Sequence, residues 1–256
     1  MVSIKTPQEI ALMRESGRIA GSILKKTCEQ VKVGVSTLEL NNFAEKLMRQ
    51  NGVVASFKTV NHYPFGTCIN INEGIVHGLP SAKVILKPGD LVKIDLGVIF
   101  QGWHSDAAST VYLPSGDEAR DDAVQKFLGV GLETLKLAID ECQVGKKVSD
   151  ISRVIETNIE VNNGYSVVYE LTGHGLGQSL HEEPDVPGVL MSGGKDHSLV
   201  EGTVLAIEII YSQGSGGMVT AADNWTISTK DHSLAGLFEH SVAVTAQGPL
   251  VLTTLN

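Results

Sequence analysis

Three cysteines (Cys28, Cys68 and Cys142) are all the chain has, and no two form a CxxC pair. That odd, scattered set excludes a disulfide framework and fits a reducing compartment. Basic residues are also short: 20 Lys and Arg against 29 Asp and Glu leave a net charge of −9. General affinity for nucleic acid or anionic lipid needs a basic patch, so both are excluded as expected partners. No run approaches the roughly 18 apolar residues of a membrane span. The start, MVSIKTPQEI, lacks a basic segment followed by an apolar run, so no signal peptide and a cytoplasmic location are expected. Among motifs, HExxH is missing, GHGLGQ is not GxGxxG, and GQSLH lacks the last Gly of a nucleophile elbow. With no linker or low-complexity segment either, the expectation is a single domain over 1–256.

What is present is an ordinary globular composition, 42% hydrophobic and 19% charged. A chain of this length buries roughly 70–75% of its unfolded surface and needs no staple. Thr6-Pro7-Gln8-Glu9 reads as a helix start, with an N-cap hydroxyl, Pro at the first position and Glu placed for a capping box. Ile10, Met13, Gly17, Ala20 and Leu24 follow at helical spacing. Ser36 opens a second helix, Ser115 to Glu118 a third, and Ser149-Asp150 caps a fourth that stops near Asn163-Gly164. Residues 53–86 read as short strands and loops. Ser166–Leu171, Thr203–Tyr211, Trp225–Ser228 and Leu237–Thr245 read as strands, with a Pro-rich loop after GHGLG.

The stretch LVKIDLGVIFQGWHSDAASTV, from Leu91 to Val111, reads as two antiparallel strands around Gln101-Gly102. Alternation places Leu91, Lys93, Asp95 and Gly97 on one face, opposite Val92, Ile94 and Leu96. An Asp therefore lies in a core strand, and Asp106 comes round beside it from the partner. Two carboxylates taken out of water repel, at a cost of several kcal/mol for unpaired buried ions. A cation, a proton or water must answer them.

The same problem recurs downstream. Leu86-Lys-Pro-Gly-Asp-Leu-Val-Lys-Ile-Asp95 matches Leu199-Val-Glu-Gly-Thr-Val-Leu-Ala-Ile-Glu208 as Leu-x-x-Gly-x-φ-φ-x-Ile-acid, where φ is apolar. Glu239 heads a further apolar strand, as Asp106 does. The chain thus reads as two halves, about 1–115 and 116–256, each of two helices against an antiparallel sheet, with four carboxylates converging at a pseudo-twofold centre. Two divalent ions can neutralise four carboxylates, and a pair about 3.5–4 Å apart is a recurring hydrolytic site. His174, between glycines that permit close backbone approach, is the candidate nitrogen ligand, and imidazole favours Mn, Fe, Co or Zn over Mg or Ca. His181 and His77 are placed to bind a substrate carbonyl or donate a proton to a leaving nitrogen.

Asp95-x(10)-Asp106, GHGLGQSLHEEP, Glu208 and Glu239, together with IKTPQEIALMRESGRIA and CININEGIVHGLP, resemble the type I methionine aminopeptidases of the pita-bread metallopeptidase family. The resemblance implies an α+β pita-bread fold acting as one catalytic domain. It implies that Asp95, Asp106, His174, Glu208 and Glu239 hold two divalent transition-metal ions, with Asp106 and Glu239 bridging. A metal-bridging water is then the nucleophile, Glu208 the general base, His181 the oxyanion stabiliser, and His77 a contact to the scissile nitrogen or the next residue. Tyr63, Cys68 and Trp225 match positions lining the methionine pocket. The implied substrates are the N-termini of nascent polypeptides and peptides, with ribosome association and a monomer expected. Ile209, Leu180, Phe57 and Asn61 depart from the usual family residues. Two other readings are a related Xaa-Pro peptidase, usually carrying a further N-terminal domain, and a binding protein without metal.

Overall fold

Thr6 and Ser36 each start a helix by the same device. Their hydroxyls accept from the backbone N–H of Glu9 and Glu39, whose carboxylates accept from the cap N–H in return, at 2.7 and 2.8 Å. The helices are α1 (Pro7–Cys28) and α2 (Thr37–Gln50). The computed structural model describes residues 2–60, 62–193 and 195–255. After α2 come β1 (Val54–Ala55), a 3-10 turn at Ser56–Thr59, β2 (Cys68–Ile71), β3 (Gly74–Val76), β4 (Leu91–Phe100) and β5 (Trp103–Tyr112). The second half has α3 (Glu118–Asp140), α4 (Val148–Glu156), β6 (Ser166–Val167), β7 (Thr172–Gly175), β8 (Glu182–Pro187), β9 (Val204–Ser212), β10 (Met218–Thr220), β11 (Ile227–Thr229), β12 (Ala235–Thr245) and β13 (Gly248–Val251). A π-helical turn, Thr157–Asn162, continues α4.

Strand alternation decides which side is dry. Val92, Ile94, Leu96 and Val98 of β4 meet Ile19, Ile23, Leu24 and Leu40 of the helices in one core. Each such side chain contributes roughly 1.5–3 kcal/mol on burial, and Ile94→Ala is expected to cost about 2–5 kcal/mol. The second half repeats this with Phe127, Leu135 and Ile151 against Leu205, Ile207 and Ile209. In each half the antiparallel sheet therefore has its other face free, and those faces meet. This is the pita-bread α+β architecture.

The internal match extends to hydrogen bonds. The N–H groups of Gly34 and Leu86 bond the carbonyls of Leu86 and Val35. Those of Gly145 and Leu199 bond the carbonyls of Leu199 and Lys146 in the same way. Gly89 and Gly202, at φ +87 and +91, make the turns into β4 and β9, where a side chain would be strained.

Several local expectations change. Helix α4 begins at Val148, so Ser149 lies inside its first turn and bonds Asp196, while Asp150 caps from the third position onto the Lys147 N–H. The strand expected over Ser166–Leu171 is only β6. Ser166 and Val167 pair with the end of β9, after which the chain turns outward at Tyr169-Glu170 before rejoining β9 through His174. The Pro-rich loop is β8, an edge strand, the place in a sheet where residues without an N–H are tolerated. The third strand is β11, beginning at Ile227, and β10 and β13 were not anticipated.

Candidate metal centre

The four strand carboxylates are brought together by two ladders in different registers. In β4–β5, Asp95 lies opposite Ala108 and Gly97 opposite Asp106, so the two acids are diagonal neighbours on one face. In β9–β12, Glu208 lies directly opposite Glu239. Between β5 and β12 hydroxyls replace a ladder. Ser241 Oγ accepts from the Asp106 N–H at 2.9 Å and donates to its carbonyl at 2.7 Å. Thr110 Oγ1 does the same for Leu237, at 3.1 and 2.6 Å. These four bonds clasp the sheets so that the acids of both halves meet.

His174 arrives on β7, paired to Ala206 of β9. A Cβ at Gly173 would overlap the Ala206 carbonyl and one at Gly175 the Glu183 carbonyl, so glycine on both sides is what lets the strand come this close. The His174 Nδ1 donates to the Gly175 carbonyl at 2.9 Å, which leaves the Nε2 lone pair facing Glu208 at 3.6 Å. One ligand atom each from Asp106, His174 and Glu239 lie within 4.8 Å of one another.

The charge balance fits metal. Asp95 Oδ1 and Glu239 Oε1 are buried with no hydrogen-bond partner among the described residues. Burial, then the neighbouring carboxylates, push Asp95, Glu208 and Glu239 well above the usual range, and burial brings Asp106 to about 7. Burial holds His174 down at about 4, a neutral ligand at physiological pH. Lys93, two residues before Asp95 on β4, has its Nζ spent on the carbonyls of Asn72 and Ala235, at 2.6 and 3.2 Å. Orphaned carboxylate oxygens beside a neutral imidazole are a donor set for divalent cations.

A cavity of about 280 Å³ opens from this cluster. All ten residues singled out in the sequence line it: Asp95, Asp106, His174, Glu208 and Glu239, with His77, His181, Tyr63, Cys68 and Trp225. Its far wall is apolar. Trp225 meets Tyr63 edge-on at 5.0 Å, Phe57 packs against Tyr63 at 6.4 Å, and Leu180 is buried beside them. Cys68 sits opposite Asp95 in the β2–β4 ladder, and burial followed by that carboxylate pushes its thiol up, so it stays protonated. His181 stacks edge-on to His174 at 4.3 Å. Burial lowers His77 and His181 alike, leaving neutral imidazoles that can donate one hydrogen bond each.

His77 stands at φ +58, a left-handed conformation that costs a non-glycine residue about 1–2 kcal/mol. Asn70 over-determines it. Its side chain donates to the Val76 carbonyl at 3.1 Å and accepts from the Gly78 N–H at 2.9 Å, bracketing His77. Asn70 was not picked out from the sequence, although an Asn inside the apolar run CINI was a usable signal. Val60 and Val76 also line the cavity and carried no signal beyond hydrophobicity. Of the four departures from the family pattern, Phe57 and Leu180 face the cavity, Ile209 faces the second core, and Asn61 lies outside the described residues.

No helix among the described residues is long and apolar enough to cross a membrane. Residues 11–246 match the model of metallopeptidase family M24. The chain is 40% identical to methionine aminopeptidase 1 of Bacillus subtilis over 99% of both chains. It is 37% identical to the methionine aminopeptidase of Clostridium perfringens over the whole of both. Among solved structures, methionine aminopeptidase from Thermotoga maritima superposes with a TM-score of 0.93 at 32% identity, covering 99% of this chain and 100% of that one. The prolidase of Pyrococcus horikoshii shares the fold, with a TM-score of 0.76 at 24% identity, and this chain spans 64% of it. A carboxylate and imidazole donor set, carried by the strands of a doubled α+β fold and matched nearly end to end, makes this chain a member of metallopeptidase family M24.

Proposed function

We propose that the chain is a metal-dependent aminopeptidase that removes the initiator methionine from nascent proteins and peptides. The observation that carries this reading is the cavity itself, which has the carboxylate and imidazole cluster at one end and a closed aromatic and aliphatic wall at the other. A flexible, unbranched thioether side chain fits between Tyr63, Trp225, Phe57 and Leu180, and sulfur contacts with aromatic rings are favourable by about 0.3–1.5 kcal/mol. Full-length similarity to methionine aminopeptidases supports the same substrate.

Asp95, Asp106, His174, Glu208 and Glu239 would hold two divalent transition-metal ions of the Mn, Fe, Co or Zn type. When bound, such ions act as Lewis acids on a carbonyl oxygen and lower the pKa of water. The chain's own groups do the rest. Glu208, whose side chain is 14% exposed, takes a proton from the attacking water and passes it on toward the leaving nitrogen. His181 donates to the oxygen that becomes negative, and His77 to the scissile nitrogen or the residue after it. The apolar wall excludes water from the methionine side. A monomer forming one catalytic unit belongs to the same reading. So does a cytoplasmic site of action near the ribosome.

The test is release of methionine from a Met-Ala peptide by protein loaded with Mn, Co or Fe(II). Turnover should vanish with chelator and return with metal, and His181→Ala should lose about 10²–10³ in kcat, the scale of one lost oxyanion donor. No methionine release with any of these metals, or a preference for Xaa-Pro peptides, overturns the reading.

A further inference from the structure

Past Glu208 the cavity does not end. A second hollow of about 290 Å³ shares His77, His174, His181 and Glu208 with the first and runs beyond Thr172 to Glu170 and Asp185. A third, about 420 Å³, takes over at Thr172 and Asp185 and reaches Lys195. Under the proposed function, the N-terminal side chain fills the closed apolar end, so the rest of the peptide must leave through this open side.

The acids here are placed by register. Asp185 of β8 is the direct partner of His174 on β7, and paired residues point to the same face, so its side chain stands beside the site. It is exposed, as is Glu170. Neither carboxylate makes a hydrogen bond or ion pair with any described residue, whereas the acids around them are engaged. Glu182 pairs with Lys5 at 2.7 Å, Asp196 lies 3.5 Å from Lys147, and Glu156 accepts from the Leu190 N–H at 3.2 Å. Among the described residues no Lys or Arg lines the second hollow, and Lys195 lines the third. Two negative charges without a hydrogen-bond or ion-pair partner among the described residues therefore flank the exit path at its near end, Asp185 with the His181 imidazole in electrostatic reach.

We infer that this hollow is the subsite for the second and third residues after the cut bond, and that Asp185 and Glu170 make it select Lys or Arg there over Asp or Glu. An extended peptide advances about 3.3–3.6 Å per residue, so a chain leaving through this hollow carries the residues that follow the first one toward the part lined by Glu170 and Asp185. The inference rests on the aminopeptidase reading and extends it to sequence context. Exposed pairs are individually weak, so the expected preference for Lys over Glu is about fivefold in kcat/KM at low salt, shrinking as salt rises.

The experiment compares Met-Ala-Lys-Gly, Met-Ala-Gln-Gly and Met-Ala-Glu-Gly, and the same set with the variable residue one place later, on Mn-loaded protein. The expected order is Lys, Gln, Glu. Asp185→Asn and Glu170→Gln should each shrink the Lys-to-Glu ratio and Asp185→Lys should invert it, while Glu141→Gln, remote and paired with Lys146, leaves it unchanged. A ratio near one in the wild type, or a ratio that none of the groove variants moves, overturns the inference and leaves the aminopeptidase reading standing. No cleavage of any of these peptides overturns both.

Discussion

In the half built on β4 and β5 the central strands are joined by two residues, Gln101-Gly102, and their acids sit diagonally. In the half built on β9 and β12 the connection is long, and the acids face each other across the ladder. When Asp95 is aligned with Glu208, the register places Leu237 at the position of Asp106 and Ala108 at that of Glu239. The hydroxyl clasps obey the symmetry, with Ser241 on Asp106 matching Thr110 on Leu237. The second carboxylate of each half does not. A doubled scaffold thus brings two sheets face to face, while offset acids keep four carboxylates from occupying two symmetric pairs. The long connection in the second half has its own use. It carries β10 and β11, pairs with β3 of the first half, and brings Trp225 against Tyr63.

The comparison breaks most completely at the acids. Asp106→Asn and Glu239→Gln should each lose about a thousandfold or more in kcat/KM, with reduced ion uptake by metal analysis. Moving the acid, as Asp106→Ala with Ala108→Asp, restores the second half's register in the first. It should stay inactive, because Ala108 is packed among Ile75, Leu237 and Ile210. Recovery of activity in that double variant would show that the offset is incidental.

Metal affinity comes next. The four carboxylates hold protons to higher pH than usual, Asp106 to about 7, so protons compete with metal as pH falls through 7. His174, already neutral down to about 4, contributes nothing to that window. Affinity measured by titration should fall at least about tenfold between pH 7.5 and 5.5. Equal affinity at both values would remove the acids from the ligand set.

The clasps distinguish the halves more finely. Ser241→Ala and Thr110→Val each unpair two buried backbone groups, at about 1–3 kcal/mol of stability. Only Ser241 holds a proposed ligand's backbone, so Ser241→Ala should also cost about 10–100-fold in kcat, and Thr110→Val should leave kcat within about twofold. The smallest effect is at the helix caps. Ser36 caps α2 with its hydroxyl, but its counterpart Lys147 gives α4 no side-chain cap. Lys147→Ser should add about 0.5–1 kcal/mol in thermal or denaturant unfolding.

Much of this molecule is legible residue by residue. The capping boxes at Thr6 and Ser36, the alternation around Asp95 and the repeat ending on Glu208 are local patterns with local causes. Where the reading slipped, a distant partner decided. Asp196 engages Ser149 inside α4. The sheet edge admits Pro184 and Pro187 into β8, and pairing with opposite ends of β9 splits Ser166–Leu171 into β6 and a turn. Asn70 was missed because its role, bracketing a left-handed His77, exists only once Gly78 folds back on it.

By itself the sequence determined that carboxylates would be buried at matched points of two strands. Period-two alternation and a repeated motif settle which side chains face inward, whatever the strands later touch. Only the tertiary structure decided how those acids meet. Register across β5 and β12 is set by Ser241 and Thr110 bonding the opposite backbone, a contact between residues more than a hundred positions apart that no local pattern encodes. The same holds for Asp185, an unremarked acid in a Pro-rich stretch until the β7–β8 ladder set it beside His174.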